Sequence, residues 1–138
     1  ALYPGKALAR EQAGKWQQAL IDAGIATPGD RSVALLTGDQ GDHKTRVQLF
    51  RDARVAVLTP DVLHAWLLGH LGDASLRRRL ANLRLIVLDE AHTYAGVFGS
   101  NALWLFRRLQ HALHHLRAPA PRWLAASATG GQGCADQE

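Results

Sequence analysis

An alternation constrains this fold more than any other feature of the sequence. Four short apolar runs stand apart: Ser32-Val33-Ala34-Leu35-Leu36-Thr37, Val55-Ala56-Val57-Leu58, Leu85-Ile86-Val87-Leu88 and Trp123-Leu124-Ala125-Ala126. Leu2-Tyr3 reads as the end of a fifth. These runs are apolar at successive positions, which is how strands read when helices cover both faces of a parallel sheet. The stretches between them have helical period. Ala9, Ala13, Trp16, Leu20 and Ala23 recur at steps of four and three, and Gly24 stands where a helix would stop. Residues 61–71 read as a second helix, with Thr59 as N-cap and Pro60 at the first helical position. Ala102, Leu105, Leu109, Ala112 and Leu116 form a third stripe, opened by Ser100 and stopped by Pro119. Residues 45–51 are a shorter candidate. Strand and helix in turn predict an α/β domain with a mostly parallel sheet flanked by helices.

The chain has 138 residues, of which 47% are hydrophobic. That is enough for one domain with its own core. No apolar run approaches the roughly 20 residues of a membrane helix, and Ala1-Leu2-Tyr3-Pro4 has no signal-peptide character. The single cysteine, Cys134, allows no intrachain disulfide, which fits a cytoplasmic setting. A formal charge of +4 suits a polyanionic partner and equally describes a plain basic protein. The chain contains no methionine, from which we expect a piece of something longer. Residues 130–138, glycine-rich and then polar, are expected to be a flexible tail beyond a domain spanning 1–129.

The chemistry concentrates at Leu85-Ile86-Val87-Leu88-Asp89-Glu90-Ala91-His92. A rigid apolar strand ending in two adjacent carboxylates holds them at the edge where open α/β sheets bind ligands. Asp89 is suited to hold Mg²⁺, partly through water, since that ion prefers hard oxygens. Glu90 is suited to polarise a water attacking a γ-phosphate. An ordinary strand-to-turn junction with solvated acids is the plain alternative. Arg77-Arg78-Arg79 reads as a solvated face and secondarily as a phosphate contact. His111, His114 and His115 read as cations near a helix C-terminus rather than metal ligands. The tryptophans read as packing residues, and His64 and His70 have no evident partner.

Other segments at strand ends complete a pattern. Residues 3–12 (Tyr3-Pro4-Gly5-Lys6 through Gln12) pass from strand to helix, Thr37-Gly38-Asp39 and Thr59-Pro60-Asp61 follow two more strands, and Ser127-Ala128-Thr129 follows the last. In this order the set resembles the first RecA-like domain of superfamily 2 helicases of the DEAD/DEAH-box class. Residues 3–12 look like motif Ia, Thr59-Pro60-Asp61 like motif Ib, residues 89–92 like motif II (Walker B) and Ser127-Ala128-Thr129 like motif III. Tyr94-Ala95-Gly96-Val97-Phe98-Gly99-Ser100-Asn101 with Arg107-Arg108-Leu109 looks like a branch of DNA-repair helicases. Its members carry a distal cysteine-rich zinc module and move 3′ to 5′ on single-stranded DNA.

The resemblance implies ATP and Mg²⁺ as cofactors and single-stranded DNA as partner. It implies catalytic roles for Asp89, Glu90 and His92, and nucleotide coupling through Ser127 and Thr129 with His92 as a relay. It implies strand contacts from Lys6, Arg10, Thr37, Gly38 and Thr59, where helix N-termini and backbone N–H groups suit phosphates. Gly5 stands where the family usually has Thr. No Gly-x-x-x-x-Gly-Lys-Ser/Thr loop occurs in these residues. The family's P-loop lies just before motif Ia, so we expect a domain truncated before the P-loop strand, a strand placed beside that of Asp89. A second RecA-like domain with its arginine finger is expected elsewhere in the same parent chain. These 138 residues alone are therefore expected to turn over no ATP. Two readings follow: part of an ATP-driven DNA helicase, or a non-catalytic helicase-like module that binds nucleic acid or protein. A third keeps the ATPase as an RNA remodeller or a translocase that does not unwind.

Overall fold

The computed structural model describes residues 1–39, 41–96 and 99–126. Helix α1 (Lys6–Asp22) is followed by β1 (Val33–Leu36), α2 (His43–Asp52), β2 (Val55–Leu58) and the single turn α3 (Pro60–Val62). A π-helical turn (Leu63–Leu67) and a 3₁₀ turn (Leu68–His70) lead into α4 (Ala74–Ala81). Then come β3 (Leu85–Leu88), α5 (Ala91–Gly96), α6 (Gly99–His115) and β4 (Arg122–Ala125).

β1 pairs with β2 and β3 with β4, both parallel, with Ala34 opposite Ala56 and Ile86 opposite Trp123. Leu2 joins the two pairs. Its N–H donates to the Val87 carbonyl at 2.7 Å, and the Leu58 N–H donates to Ala1 beside it at 2.9 Å. Parallel bridges link Leu2 to both Leu58 and Leu88. The sheet therefore runs β1, β2, the Leu2 segment, β3, β4, and its pairings are parallel, as the sequence pattern predicts. One expectation is overturned. β3 is flanked by Leu2 on one side and β4 on the other, so a strand preceding Tyr3 has no free edge beside Asp89. It could join only an outer edge, because a strand has just two.

Helices cover both faces. On one, Tyr3, Ala9 and Val57 are buried under α1 with Trp16, Val33 and Leu35 packed around them. On the other, Leu36, Phe50, Leu63, Trp66, Leu76, Leu80, Ile86, Leu105 and Leu109 form the larger core. The cover stops at β4, where Leu124 is 55% exposed. No helix among the described residues is long and apolar enough to cross a membrane.

Local signals explain most boundaries. α1 ends as expected at Gly24, whose φ of 73° suits a residue without Cβ. The segment 61–71 is not one regular α-helix; it widens into the π turn, and Thr59 makes no capping hydrogen bond through its side chain. The widening sets Trp66 into the core while His64 stays outside. Asp73 caps α4, accepting from the Ser75 N–H at 2.8 Å. Two of the three consecutive arginines are structural clamps. Arg79 donates to the Ala53 and Arg54 carbonyls at 2.7 and 3.2 Å beyond the end of α2, and Arg77 reaches the Leu71 and Gly72 carbonyls at 2.8 and 2.7 Å. Of the three, Arg78 alone is exposed. The tryptophans also divide: Trp66 is buried, Trp16 and Trp123 are half-buried, and Trp104 is 56% exposed. Trp104 lies off the apolar stripe of α6, which turns it to solvent.

Candidate functional site

Because the strands are parallel, their carboxyl ends share one edge of the sheet, and the residues singled out by sequence gather there. Asp89 prolongs β3 by one rung, its N–H donating to the Leu2 carbonyl at 3.1 Å. Its Oδ1 accepts from the backbone N–H of Glu90 at 2.8 Å. Glu90 then takes φ 51°, a left-handed conformation that costs an ordinary residue roughly 1–2 kcal/mol. The turn is held from both sides. The Ala91 N–H donates to Ala126 beyond β4 at 2.9 Å, and the Thr93 hydroxyl donates to the Glu90 carbonyl. His92 Nε2 lies 3.2 Å from Glu90 Oε2, so the imidazole restrains the carboxylate of this strained residue.

Two phenols lie close to the acids. Burial, and secondarily the charge of Asp89, raises the Tyr94 hydroxyl above its ordinary range. Tyr3 is also raised, first by burial, while its oxygen accepts from Trp16 Nε1 at 2.8 Å. Both stay neutral at physiological pH, adding no negative charge beside Asp89.

Farther along the edge a second group forms. Lys6 Nζ lies 3.5 Å from Asp39 Oδ1, which also accepts from the Thr37 hydroxyl at 2.9 Å. That hydroxyl, then Asp39's own backbone N–H and Lys6, hold its carboxyl below the usual range. Arg46 Nη2 clamps the loop, donating to the Thr37 and Gly38 carbonyls at 3.3 and 3.1 Å. A Cβ on Gly38 would come within 3.7 Å of Asp61 Oδ2, so this loop adjoins the turn after Thr59. Lys6, Thr37, Gly38 and Thr59 thus share one end of the edge; Arg10 is exposed one turn past Lys6 on α1. Sequence reasoning gave no role of their own to Asp39 and Asp61, although the Thr37-Gly38-Asp39 and Thr59-Pro60-Asp61 strings held them, and none to Arg46. Ser127 and Thr129 lie outside the described residues.

Thr59 is 2% exposed, and its Oγ1 has no hydrogen-bond partner among the described residues. A buried hydroxyl without a partner costs about 1–3 kcal/mol. Thr59→Val is therefore expected to raise folding stability by about 1 kcal/mol in urea unfolding. Thr37→Val, which breaks the bond to Asp39, should lower it by a similar amount. Destabilisation by Thr59→Val would mean that the hydroxyl is bonded.

Among the described residues, no group of three or more His, Cys, Asp or Glu side chains could enclose a metal. The triplet His111, His114 and His115 is no exception. The Asp89–Glu90 pair offers hard oxygens of the kind Mg²⁺ takes, one or two carboxylates with water and phosphate supplying the rest. The donor chemistry fits that ion.

A family model described as "DEAD/DEAH box helicase" matches residues 1–136. An uncharacterized ATP-dependent helicase of Methanocaldococcus jannaschii is 36% identical over 83% of the chain, which spans 16% of that relative. The ATP-dependent helicase hrq1 of Schizosaccharomyces pombe is 31% identical over 93% of the chain and 12% of its own length. Among solved structures, the DUF1998 helicase MrfA bound to DNA and AMPPNP superposes with a TM-score of 0.77 at 30% identity. That match covers 93% of this chain and 17% of MrfA. The chain is thus a small part of the length of each relative it matches.

Proposed function

The chain belongs to the DEAD/DEAH-box helicase family, and from that membership we propose that it forms the ATP-hydrolysing and strand-gripping edge of a DNA helicase. One observation carries the reading. The acid pair Asp89–Glu90 and the group Lys6, Thr37, Gly38 and Thr59 occupy the same carboxyl edge of one parallel sheet. Nucleotide chemistry and nucleic-acid contact at one edge allow hydrolysis to alter the hold on a strand.

Each group has a task its position suits. Asp89, fixed through its backbone N–H to Leu2 and through Oδ1 to the Glu90 N–H, would hold Mg²⁺ through water. When bound, the ion supplies charge neutralisation at the triphosphate. Glu90 orients the attacking water and accepts its proton. His92, 3.2 Å from Glu90 Oε2, keeps that carboxylate aimed, and in our reading links it to Ser127 and Thr129. Lys6 and Arg10 supply positive charge to strand phosphates. The Thr37-Gly38 loop and the Thr59 turn supply backbone donors, contacts that position a strand without reading its sequence. A phosphate-cradling Gly-Lys-Ser/Thr loop is not among these residues. We therefore assign it, with a second RecA-like domain, to other parts of the parent protein. The similarity to MrfA, whose structure was solved bound to DNA, favours DNA over RNA.

The test uses the full-length protein. Mg²⁺-dependent ATP hydrolysis is expected, stimulated more by single-stranded DNA than by RNA, with displacement of an annealed strand. Equal stimulation by RNA would move the substrate to RNA. Nucleic-acid binding without any hydrolysis would favour the non-catalytic module.

A further inference from the structure

The side chain least explained by the fold is Trp104, an indole 56% exposed on α6. It is held in place by a guanidinium and an imidazole. The Arg108 guanidinium lies 5.7 Å from its ring centroid, and the His64 ring meets it edge-on at 5.6 Å. Arg108 is itself anchored: Nη1 is 2.9 Å from His64 Nδ1, and Nη2 donates to the Leu68 carbonyl at 3.3 Å. A guanidinium has no lone pair, so His64 Nδ1 must accept, and the imidazole proton rests on Nε2. The indole is thus oriented beforehand and more than half in water.

The charged residues of α6 are of one sign. Residues 91–135 contain no Asp or Glu. The exposed side of α6 carries Leu103, Arg107, Gln110, His111, His114 and His115. Asp61 is the sole acid in residues 53–72, on the facing segment. That segment runs directly from Thr59 through the π turn to His64 and Leu68, so Trp104 lies beyond the same turn that bounds the proposed strand-gripping edge. A helix face that carries Arg107 and Arg108, has no acid of its own and is centred on a fixed aromatic plane matches a single-stranded nucleic acid, whose phosphates meet the charges while a base stacks on the ring.

We propose that Trp104, held by Arg108 and His64, is a base-stacking platform that extends the single-strand path past the Thr59 turn. This rests on the nucleic-acid reading above and adds to it a contact to a base, where the edge residues touch only phosphates.

The test measures binding of the full-length protein to a labelled oligothymidylate and to an abasic deoxyribose-phosphate polymer of equal length. Trp104→Ala is expected to weaken oligothymidylate binding by about tenfold and leave abasic binding unchanged, while Trp104→Phe keeps most of the affinity. Iodouracil-substituted oligothymidylate should photocross-link the wild type at Trp104, a readout that survives if Trp104→Ala fails to fold. Unchanged oligothymidylate binding overturns the platform and leaves the indole for a protein partner. Equal losses on both polymers, or cross-links that avoid Trp104, also overturn it. A wild type that binds neither polymer and shows no DNA-stimulated hydrolysis sinks the proposed function as well, so the two failures are distinct.

Discussion

Replacing Glu90 by Gln in the full-length protein is expected to lower DNA-stimulated ATP hydrolysis by roughly 10²–10⁴-fold, the usual contribution of a positioned general base. The substitution keeps the length and shape of the side chain and removes its ability to accept a proton. It also leaves the supports of the turn intact, because none of them uses the Glu90 side chain: Glu90 N–H to Asp89 Oδ1 at 2.8 Å and Ala91 N–H to the Ala126 carbonyl at 2.9 Å. The contact from His92 at 3.2 Å can persist with an amide oxygen in place of the carboxylate. Affinity for single-stranded DNA should therefore stay near the wild-type value, since Lys6, Thr37 and Thr59 stand at the other end of the edge. The decisive measurement is single-turnover hydrolysis, which separates the chemical step from release. A rate equal to wild type would remove Glu90 from the chemistry and reduce the acid pair to a solvated strand end. Loss of hydrolysis and DNA binding together would point instead to a collapsed turn, which a thermal melt would register.

The parts of this fold that could be read in advance depend on near neighbours. β2 and β3 begin and end where the apolar runs Val55-Ala56-Val57-Leu58 and Leu85-Ile86-Val87-Leu88 do, because Arg54 and Thr59 close the first run and Arg84 and Asp89 the second, with no polar position inside either. The end of α1 at Gly24 was legible for a similar reason: the φ of 73° there is a property of one residue. Placement of Asp89 and Glu90 at the carboxyl edge follows from the strand and the parallel order alone.

What could not be read depends on approach from a distance. Helix α4 is polar except at Leu76 and Leu80, and Arg79 becomes a clamp only when the end of α2 arrives with carbonyls to satisfy. Neither the Lys6–Asp39 pair nor the left-handed Glu90 has a local signature, since both arise where loops from separate strands meet. The P-loop strand was expected beside Asp89 from the family resemblance, but Leu2 and β4 fill both sides of β3. Trp104 was read as a packing residue from its type, but its position on the helix decides its exposure.

The same dependence on distant partners makes Trp66 the residue whose loss should unfold the chain most readily. Its indole is 4% exposed and meets Phe50 of α2 edge-on at 6.1 Å. Its Nε1 donates to His43 Nδ1 at 3.1 Å, which leaves the His43 proton on Nε2, 3.3 Å from Asp73 Oδ2. Asp73 in turn caps α4, and His70 stacks on His43 at 4.4 Å. One side chain therefore ties the start of α2, the π turn and the cap of α4 into a single unit. Removing a buried tryptophan costs about 3–5 kcal/mol, a large share of the roughly 5–15 kcal/mol that holds a domain of this size together. Trp66→Ala should accordingly lower the urea midpoint sharply. Trp66→Phe keeps most of the buried ring and deletes only the N–H donor. It should cost about 1 kcal/mol, because His43 is partly exposed and water can replace the indole. The π turn leads back to Thr59, so in Trp66→Ala, affinity for single-stranded DNA should fall with the folded fraction, whereas Trp66→Phe should bind normally. If Trp66→Ala unfolds at the wild-type midpoint, the turn is held by its own backbone, and the widened helix owes nothing to the indole it presents to the core.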